Sequence, residues 1–403
     1  MRPWQTGFSL VVLLTLLLAP AGSVAAQIQI APPEVASYTY GEEILFRAIA
    51  NTPTPVEGAS LVIQRPGSTE PWTLAATVTP LPNLQSELTA AFNPAGQGLP
   101  AFSTLNYHFE ITTPSGQLAV GPSGQFQYAD NRFEWQTLPG ERAQVHWYRG
   151  ENSLAQAVGQ AASRSPQRMA EILDLRLPEP VDIYVYADTE SLQSVLAQSG
   201  HSWVAGRAEP EKGVILVALP TGPDQKILAE QRIPHELMHI ALYLTLGEDY
   251  YNLPAWLNEG LASAAELYPN PEYPLLVNTA YQDTGVLSFS TLCPRFPGDA
   301  STTLLAYAQS TSFVRFILER YGKAGMQSLV QAYASGQDCE QGAQVALGVP
   351  LSELEQIWRD ETFGERLSDE SQSSDFTPWL VVILATLAVP LVLGWVILRK
   401  KRY

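Results

Sequence analysis

Residues 233–242 read IPHELMHIAL and residues 254–263 read PAWLNEGLAS. These two stretches decide the fold of the second half of the chain. On a helix, residues four apart lie on one face, so His235 and His239 can present two imidazoles to one metal ion. Glu236 is one residue from the first imidazole and is placed to take a proton from a water held there. Pro254 and Ala255 can open a second helix, with Trp256, Leu257, Leu261 and Ala262 on its apolar face. Glu259 then sits among apolar neighbours, where a buried carboxylate needs a partner. His235, His239 and Glu259 form a two-His, one-Glu set, which suits zinc and leaves a coordination position open. Asn258 is placed to orient His239 through its other ring nitrogen. Pro234 leaves two helix starts open. We expect a start near Pro223 or Asp224 with a mild kink at the proline, rather than a start at Pro234 itself.

Upstream of this pair the order is α+β. Residues 133–150 can form two strands, and Ser153 to Leu173 has helical periodicity that Pro166 could split in two. VDIYVYA at 181–187 and KGVILVAL at 212–219 read as strands. A helix begins near Asp188 or Thr189, either of which can cap it. The strand 212–219, just before the metal helix, is expected to hold an extended peptide by strand addition.

From about 31 to 130 the apolar period is near two, with PVEG, RPGSTEP, NPAGQG and TPSG as breaks. Six or seven short strands in such a length predict an all-β sandwich of two packed sheets, similar to immunoglobulin-like and fibronectin-like modules. Leu105, Tyr107, Phe109 and Ile111 would line the inner face of one strand. His108 would then point outward as a plain surface histidine.

The chain has 403 residues, with 23 Lys plus Arg against 40 Asp plus Glu and a formal net charge of -17. That acidity excludes nucleic acid as the main partner. Residues 1–26 carry one charge, Arg2, then an apolar run and Val24-Ala25-Ala26, the pattern of a secretory signal peptide. Trp379 to Leu398 has no charged residue and at full helical rise is about 30 Å long, so a transmembrane helix is expected there. RKKRY at 399–403 would be its cytoplasmic tail, and the Ser-rich, acidic residues 367–378 a flexible stalk. Cys293 and Cys339 are the only cysteines. In an oxidising compartment a disulfide between Cys293 and Cys339 is expected, with two separate thiols as the alternative.

HELMH followed by PAWLNEGLA resembles the gluzincin metallopeptidases, and most of all the bacterial peptidase-MA-like domain of that clan. The likeness continues through YAQSTSFVRFI at 307–317, Tyr321-Gly322-Lys323, and LSELEQIW at 351–358. It spans roughly 135–363. The resemblance implies an α+β zincin-like domain and zinc, one per chain, held by His235, His239 and Glu259. It also implies peptide-bond hydrolysis with Glu236 as the base. In related gluzincins a tyrosine at the start of the later helix donates to the oxyanion, and the matching residue is Tyr307.

The expected organisation is a signal peptide (1–26), a β-sandwich (27–131), a gluzincin-like peptidase domain (132–366), a stalk (367–378), a transmembrane helix (379–398) and a tail (399–403). As a whole it reads as a single-pass type I membrane protein with an extracytoplasmic peptidase that touches lipid through its C-terminal helix. The rival reading is an inactive, zinc-containing cell-surface binding module.

Overall fold

The structure is a computed structural model, and it describes residues 28–176, 180–198, 205–283 and 285–364. The chain divides into two compact units, with the break after Asp130.

The first unit is all β. Its strands are β1 (Gln29–Ile30), β2 (Glu34–Ser37), β3 (Ile44–Asn51), β4 (Gly58–Gln64), β5 (Trp72–Leu81), β6 (Gln85–Phe92), β7 (Ser103–Thr112), β8 (Leu118–Val120) and β9 (Gly124–Tyr128). Alternation along β3 and β7 turns Ile44, Phe46, Leu105, Tyr107, Phe109 and Ile111 inward, where they meet Leu61, Ile63, Leu88 and Phe92. His108 points outward and lies 3.2 Å from Glu110. The expected pair of separate sheets is corrected here. The strands form one nine-stranded sheet, ordered β1-β3-β6-β5-β4-β7-β8, with β2 on β3 and β9 on β7. The reason is β5. Trp72 to Ala76 pair with β4, while Thr77 to Leu81 pair with β6, so one long strand serves both halves and joins them. The two ends of the path also meet, because Ile30 of β1 packs against the backbone at Gly121, just after β8. The sheet is therefore close to a barrel.

The second unit is α+β. A five-stranded sheet runs β10-β11-β12-β14-β13, built from β10 (Gln136–Leu138), β11 (Ala143–Trp147), β12 (Val181–Tyr186), β13 (Gly206–Glu209) and β14 (Val214–Ala218). β11, β12 and β14 are parallel, and the outer strands β10 and β13 are antiparallel to their neighbours. The helices are α1 (Asn152–Ile172), α2 (Thr189–Gln198), α3 (Gln225–Leu246), α4 (Ala255–Ala264), α5 (Tyr273–Asp283), α6 (Ala300–Ala334), α7 (Cys339–Leu347) and α8 (Leu351–Arg359). Asp188 caps α2 by accepting from the Ser191 amide at 2.7 Å. Pro166 does not split α1. Leu154, Val158, Ala162, Met169 and Ile172 keep one buried stripe on both sides of it, and that packing outweighs the single lost backbone bond. α3 starts at Gln225 and passes through Pro234, as the sequence led us to expect. α6 is interrupted at Gly322, where φ is 67°.

The core that carries α4 is aromatic. Trp256 packs on Phe313 at 5.1 Å, Phe289 stacks on Phe313 at 3.9 Å, and Trp358 closes on both. The loop before α6 caps α4, since the amides of Ala255 and Trp256 donate to the carbonyls of Cys293 and Leu292. Cys293 is disulfide-bonded to Cys339, with Cα atoms 6.2 Å apart. Closing a 46-residue separation stabilises the fold by about 4 kcal/mol in the chain-entropy account. At the other end of α4, Arg168 of α1 donates to the Ala264 carbonyl at 2.9 and 3.1 Å. Both ends of the helix that carries Glu259 are thus tied down.

The expected transmembrane helix is corrected. Among the described residues no helix is long and apolar enough to cross a membrane. Their apolar residues are spent on the two cores. The longest helix, α6, carries Arg315, Glu319, Arg320 and Lys323 within three turns. The described residues therefore give no support to the single-pass type I anchor, the lipid partner or the membrane localisation built on that helix. The stretches read as signal peptide, stalk, span (379–398) and tail lie outside the described residues, as does His201.

Gly260 shows how closely α4 approaches α6. A Cβ there would lie 2.7 Å from the Ser310 carbonyl oxygen and 2.7 Å from Val314 Cγ2. Backbone cannot swing aside as a side-chain tip can. Gly260→Ala is therefore expected to destabilise the unit by roughly 1–3 kcal/mol, read as a lower denaturation midpoint. An unchanged midpoint would show that the helices are less closely packed than described.

Candidate metal centre

α3 and α4 deliver the cluster. His235 and His239 lie one turn apart on α3, with ring centroids 5.1 Å apart. Glu259 of α4 comes to them, its Oε2 being 3.3 Å from His235 Nε2 and 3.7 Å from His239 Nε2. One ligand atom from each of the three residues lies within 4.8 Å of the others. The sequence placed these residues on two helices, and the fold brings them together.

The outer ring nitrogens are held from behind. His239 Nδ1 is 3.1 Å from Asn258 Oδ1, and the Tyr250 hydroxyl is 3.2 Å from the same nitrogen. Asn258 Nδ2 donates to the Tyr250 hydroxyl at 3.1 Å, which leaves its carbonyl oxygen facing the imidazole. His235 Nδ1 is 3.5 Å from Glu266 Oε1 and from Ser263 Oγ. Both histidines therefore keep Nδ1 engaged and turn Nε2 inward toward Glu259. Asn258 was legible in the sequence, but Tyr250, Ser263 and Glu266 were not. Glu266 lies two residues past the end of α4, so helical spacing from Glu259 does not reach it.

The electrostatics fit a cation. Burial works against a charged His235, yet Glu259 and Glu266 outweigh it and hold its pKa up to about 10. Burial likewise pushes Glu259 up, but His239 and His235 keep it below the ordinary carboxylate range. A buried site that holds a carboxylate charged among imidazoles is arranged for positive charge. Two imidazole nitrogens and one carboxylate oxygen are a fitting donor set for a divalent transition metal. The residues present can hold one ion.

Glu236 stands beside the cluster and is not part of it. Its carboxyl is almost wholly buried and accepts from the Ala208 amide of β13. Burial raises its pKa above the ordinary carboxylate value. Gly206 of the same strand makes room for it, because a Cβ there would lie 2.5 Å from Glu236 Oε1. Tyr307 of α6 also reaches the site. Its hydroxyl donates to Glu259, its ring centroid is 6.1 Å from that of His235, and Phe296 packs edge-on against it at 5.0 Å. The charge of Glu259, followed by burial, raises its pKa well above that of a free tyrosine, so it stays a neutral O–H donor. Tyr321, at the far end of the same helical stretch, packs against the core.

One expectation about the cleft is corrected. β14 cannot take up a peptide, because both of its edges are used, by β12 and by β13. Among the described residues the free edge beside α3 belongs to β13, a four-residue strand, GRAE, with too little apolar alternation to be read from sequence. The Ala218 amide donates to the Ala205 carbonyl at 2.9 Å. By antiparallel alternation, Gly206 and Ala208 turn their amides and carbonyls toward the free edge.

Glu266→Gln is expected to weaken metal binding by roughly 10–100-fold, read by competition with a chromophoric chelator, because the amide is a poorer acceptor for the His235 ring N–H. Unchanged affinity would show that Ser263 alone positions that ring.

No curated protein matches the chain. Among solved structures it is similar to an aminopeptidase N family protein from Idiomarina loihiensis, at 8% identity over 77% of this chain and 69% of that one, TM-score 0.31. It is also similar to a purple acid phosphatase from yellow lupin, Lupinus luteus, at 10% identity over 52% of this chain and 40% of that one, TM-score 0.23. The chain thus spans about two fifths of the length of the lupin protein, and at such scores neither likeness bears on the fold or the chemistry. The family profile is different in kind: residues 161–364, half of the chain, match the peptidase MA superfamily, and they contain every residue of the cluster. The chain belongs to the peptidase MA superfamily and carries the active site of a gluzincin-type metallopeptidase.

Proposed function

We propose that the protein is a zinc-dependent peptidase that hydrolyses peptide bonds at the His235, His239 and Glu259 cluster. The observation that carries this reading is the place of Glu236, a buried carboxyl between the cluster and the free edge of β13. A structural metal site has no use for an extra carboxyl held against a strand edge. The geometry therefore favours catalysis over a purely structural or binding role.

When bound by these three side chains, zinc would supply a Lewis acid that makes water nucleophilic near neutral pH. The remaining steps belong to the chain. An extended substrate adds to the free edge of β13, using the outward carbonyls and amide of Gly206 and Ala208. That addition brings its backbone past Glu236. Glu236 takes a proton from the attacking water and passes it to the leaving amine. Its raised pKa suits both halves of that task. Tyr307 keeps its proton and offers the O–H to the substrate oxygen as negative charge develops there. Asn258, Tyr250 and Glu266 fix the imidazoles so that nothing has to reorganise during the reaction.

Glu236→Gln separates ligation from chemistry. The amide keeps the size of the side chain but cannot take a proton. Peptide hydrolysis is expected to fall by roughly 10²-fold or more, while zinc content stays near that of the wild type. Wild-type turnover by this variant would remove the assigned base. Gly206→Ala tests the strand edge, since its methyl must displace the Glu236 carboxyl or the strand. It is expected to lower kcat by about tenfold or more with metal retained, because small misplacements of reacting groups are costly. Full activity of that variant would show that β13 does not set the position of the base.

A further inference from the structure

α3 carries a charged side chain in the cleft that the chemistry above leaves unused. Arg232, Glu236 and His239 stand at i, i+4 and i+7, so they share one face of the helix. Side chains lean toward the helix N-terminus, which carries the Arg232 guanidinium away from the cluster and beyond Glu236. There its Nη1 donates to the carbonyl of Ala218, its one hydrogen bond among the described residues. Ala218 pairs with Ala205, so the guanidinium sits at the Gly206 end of the free strand edge. Arg232 is half-buried and feels the charge of Glu236, yet no carboxylate lies within ion-pair distance of it among the described residues. Half-buried guanidinium groups are usually paired with a carboxylate, and four of its five N–H donors have no partner among the described residues.

The strand gives this cation a direction. β13 runs from Gly206 to Glu209. A peptide added antiparallel to it has its C-terminal end at Gly206, beside Arg232. A parallel peptide would bring its N-terminal end, and in a short substrate an ammonium group, against the guanidinium. One helical turn, about 5.4 Å, separates Arg232 from Glu236. That is roughly two residues of extended chain.

Resting on the peptidase reading above, we propose that Arg232 is a carboxylate subsite on the C-terminal side of the scissile bond, about two residues beyond it. It selects the antiparallel substrate and takes either the free C-terminal carboxylate of a short peptide or an Asp or Glu side chain within a longer one. Arginine suits both, because its planar fork binds a carboxylate through two parallel bonds and remains charged at any working pH.

The test uses the zinc-loaded full chain and quenched fluorescent peptides of one core sequence. One set ends two residues past the cleaved bond, as free acid or as amide. A second set is longer and amidated, with Glu, Gln or Lys at that position. In the wild type, kcat/KM is expected to be about tenfold higher for a carboxylate-bearing peptide than for its neutral partner, mainly through KM. A preference in the first set alone identifies the terminal carboxylate, and one in the second identifies the side chain. Arg232→Gln should bring the ratio close to one. Arg232→Lys, which keeps the charge and a donor for Ala218, should retain part of it, and Arg232→Glu should shift the second set toward Lys. A wild type that cleaves all peptides alike overturns the subsite and leaves the peptidase standing. So does an Arg232→Gln variant that slows every peptide equally, since a residue that only anchors Ala218 would act in that way. No cleavage of any peptide by the wild type overturns both.

Discussion

A carboxylate held between two imidazoles at the edge of an apolar core is the constraint on which the second unit depends. Glu259 could not remain charged there alone, because burial of an unpaired charge costs several kcal/mol. It is held below its ordinary pKa by the histidines, and they in turn are held by Asn258, Tyr250 and Glu266. Distances of a few ångströms between groups on separate helices require those helices to be fixed. The aromatic packing of Trp256, Phe289, Phe313 and Trp358 supplies this on the buried side of α4. The disulfide-tied loop at Cys293 and the guanidinium of Arg168 hold its two ends. Gly260 allows α6 close enough for Tyr307 to reach the same carboxylate.

The sheet contributes through its edge. Parallel β11, β12 and β14 are covered strands that supply the core, and their side chains take no part in the chemistry. β13 turns antiparallel at the margin and leaves, among the described residues, an unpaired edge beside α3, of which Glu236 takes the Ala208 amide. Free strand edges are a liability in most proteins because they recruit other strands. Here the same property faces the base, and a short strand with a glycine at its start limits the exposed edge to a few residues. The β unit before it has its own core, closed by β5 and by the meeting of β1 with the backbone after β8.

The HELMH and PAWLNEGLA stretches were enough to bring out the candidate ligands His235, His239 and Glu259, the proposed base Glu236 and the neighbouring Asn258, because helical spacing converts directly into a shared face. They left two starts open for α3, and the structure takes the earlier one, at Gln225, with Pro234 inside the helix. The period-two pattern of residues 31–130 was enough for an all-β unit. It could not decide between two sheets and one, since that turned on β5 changing partners midway, and each half of that strand alternates correctly for either outcome.

Other features were decided only in three dimensions. The strand 212–219 read as a substrate platform because it is apolar and precedes the metal helix, but apolarity is the mark of a strand buried on both sides, and β14 is one. The working edge, GRAE, is too short and too polar to announce itself. Tyr250 lies eleven residues past the histidine it touches, in a turn of no fixed period, and Glu266 lies just past the end of α4, where helical spacing no longer applies. The sequence by itself determined which side chains could bind a metal and move a proton, since those properties follow from residue type and local spacing. Tertiary structure alone decided which strand edge faces them, which groups orient their rings and that Arg232 has no carboxylate partner among the described residues, because those facts depend on contacts between segments far apart in the chain.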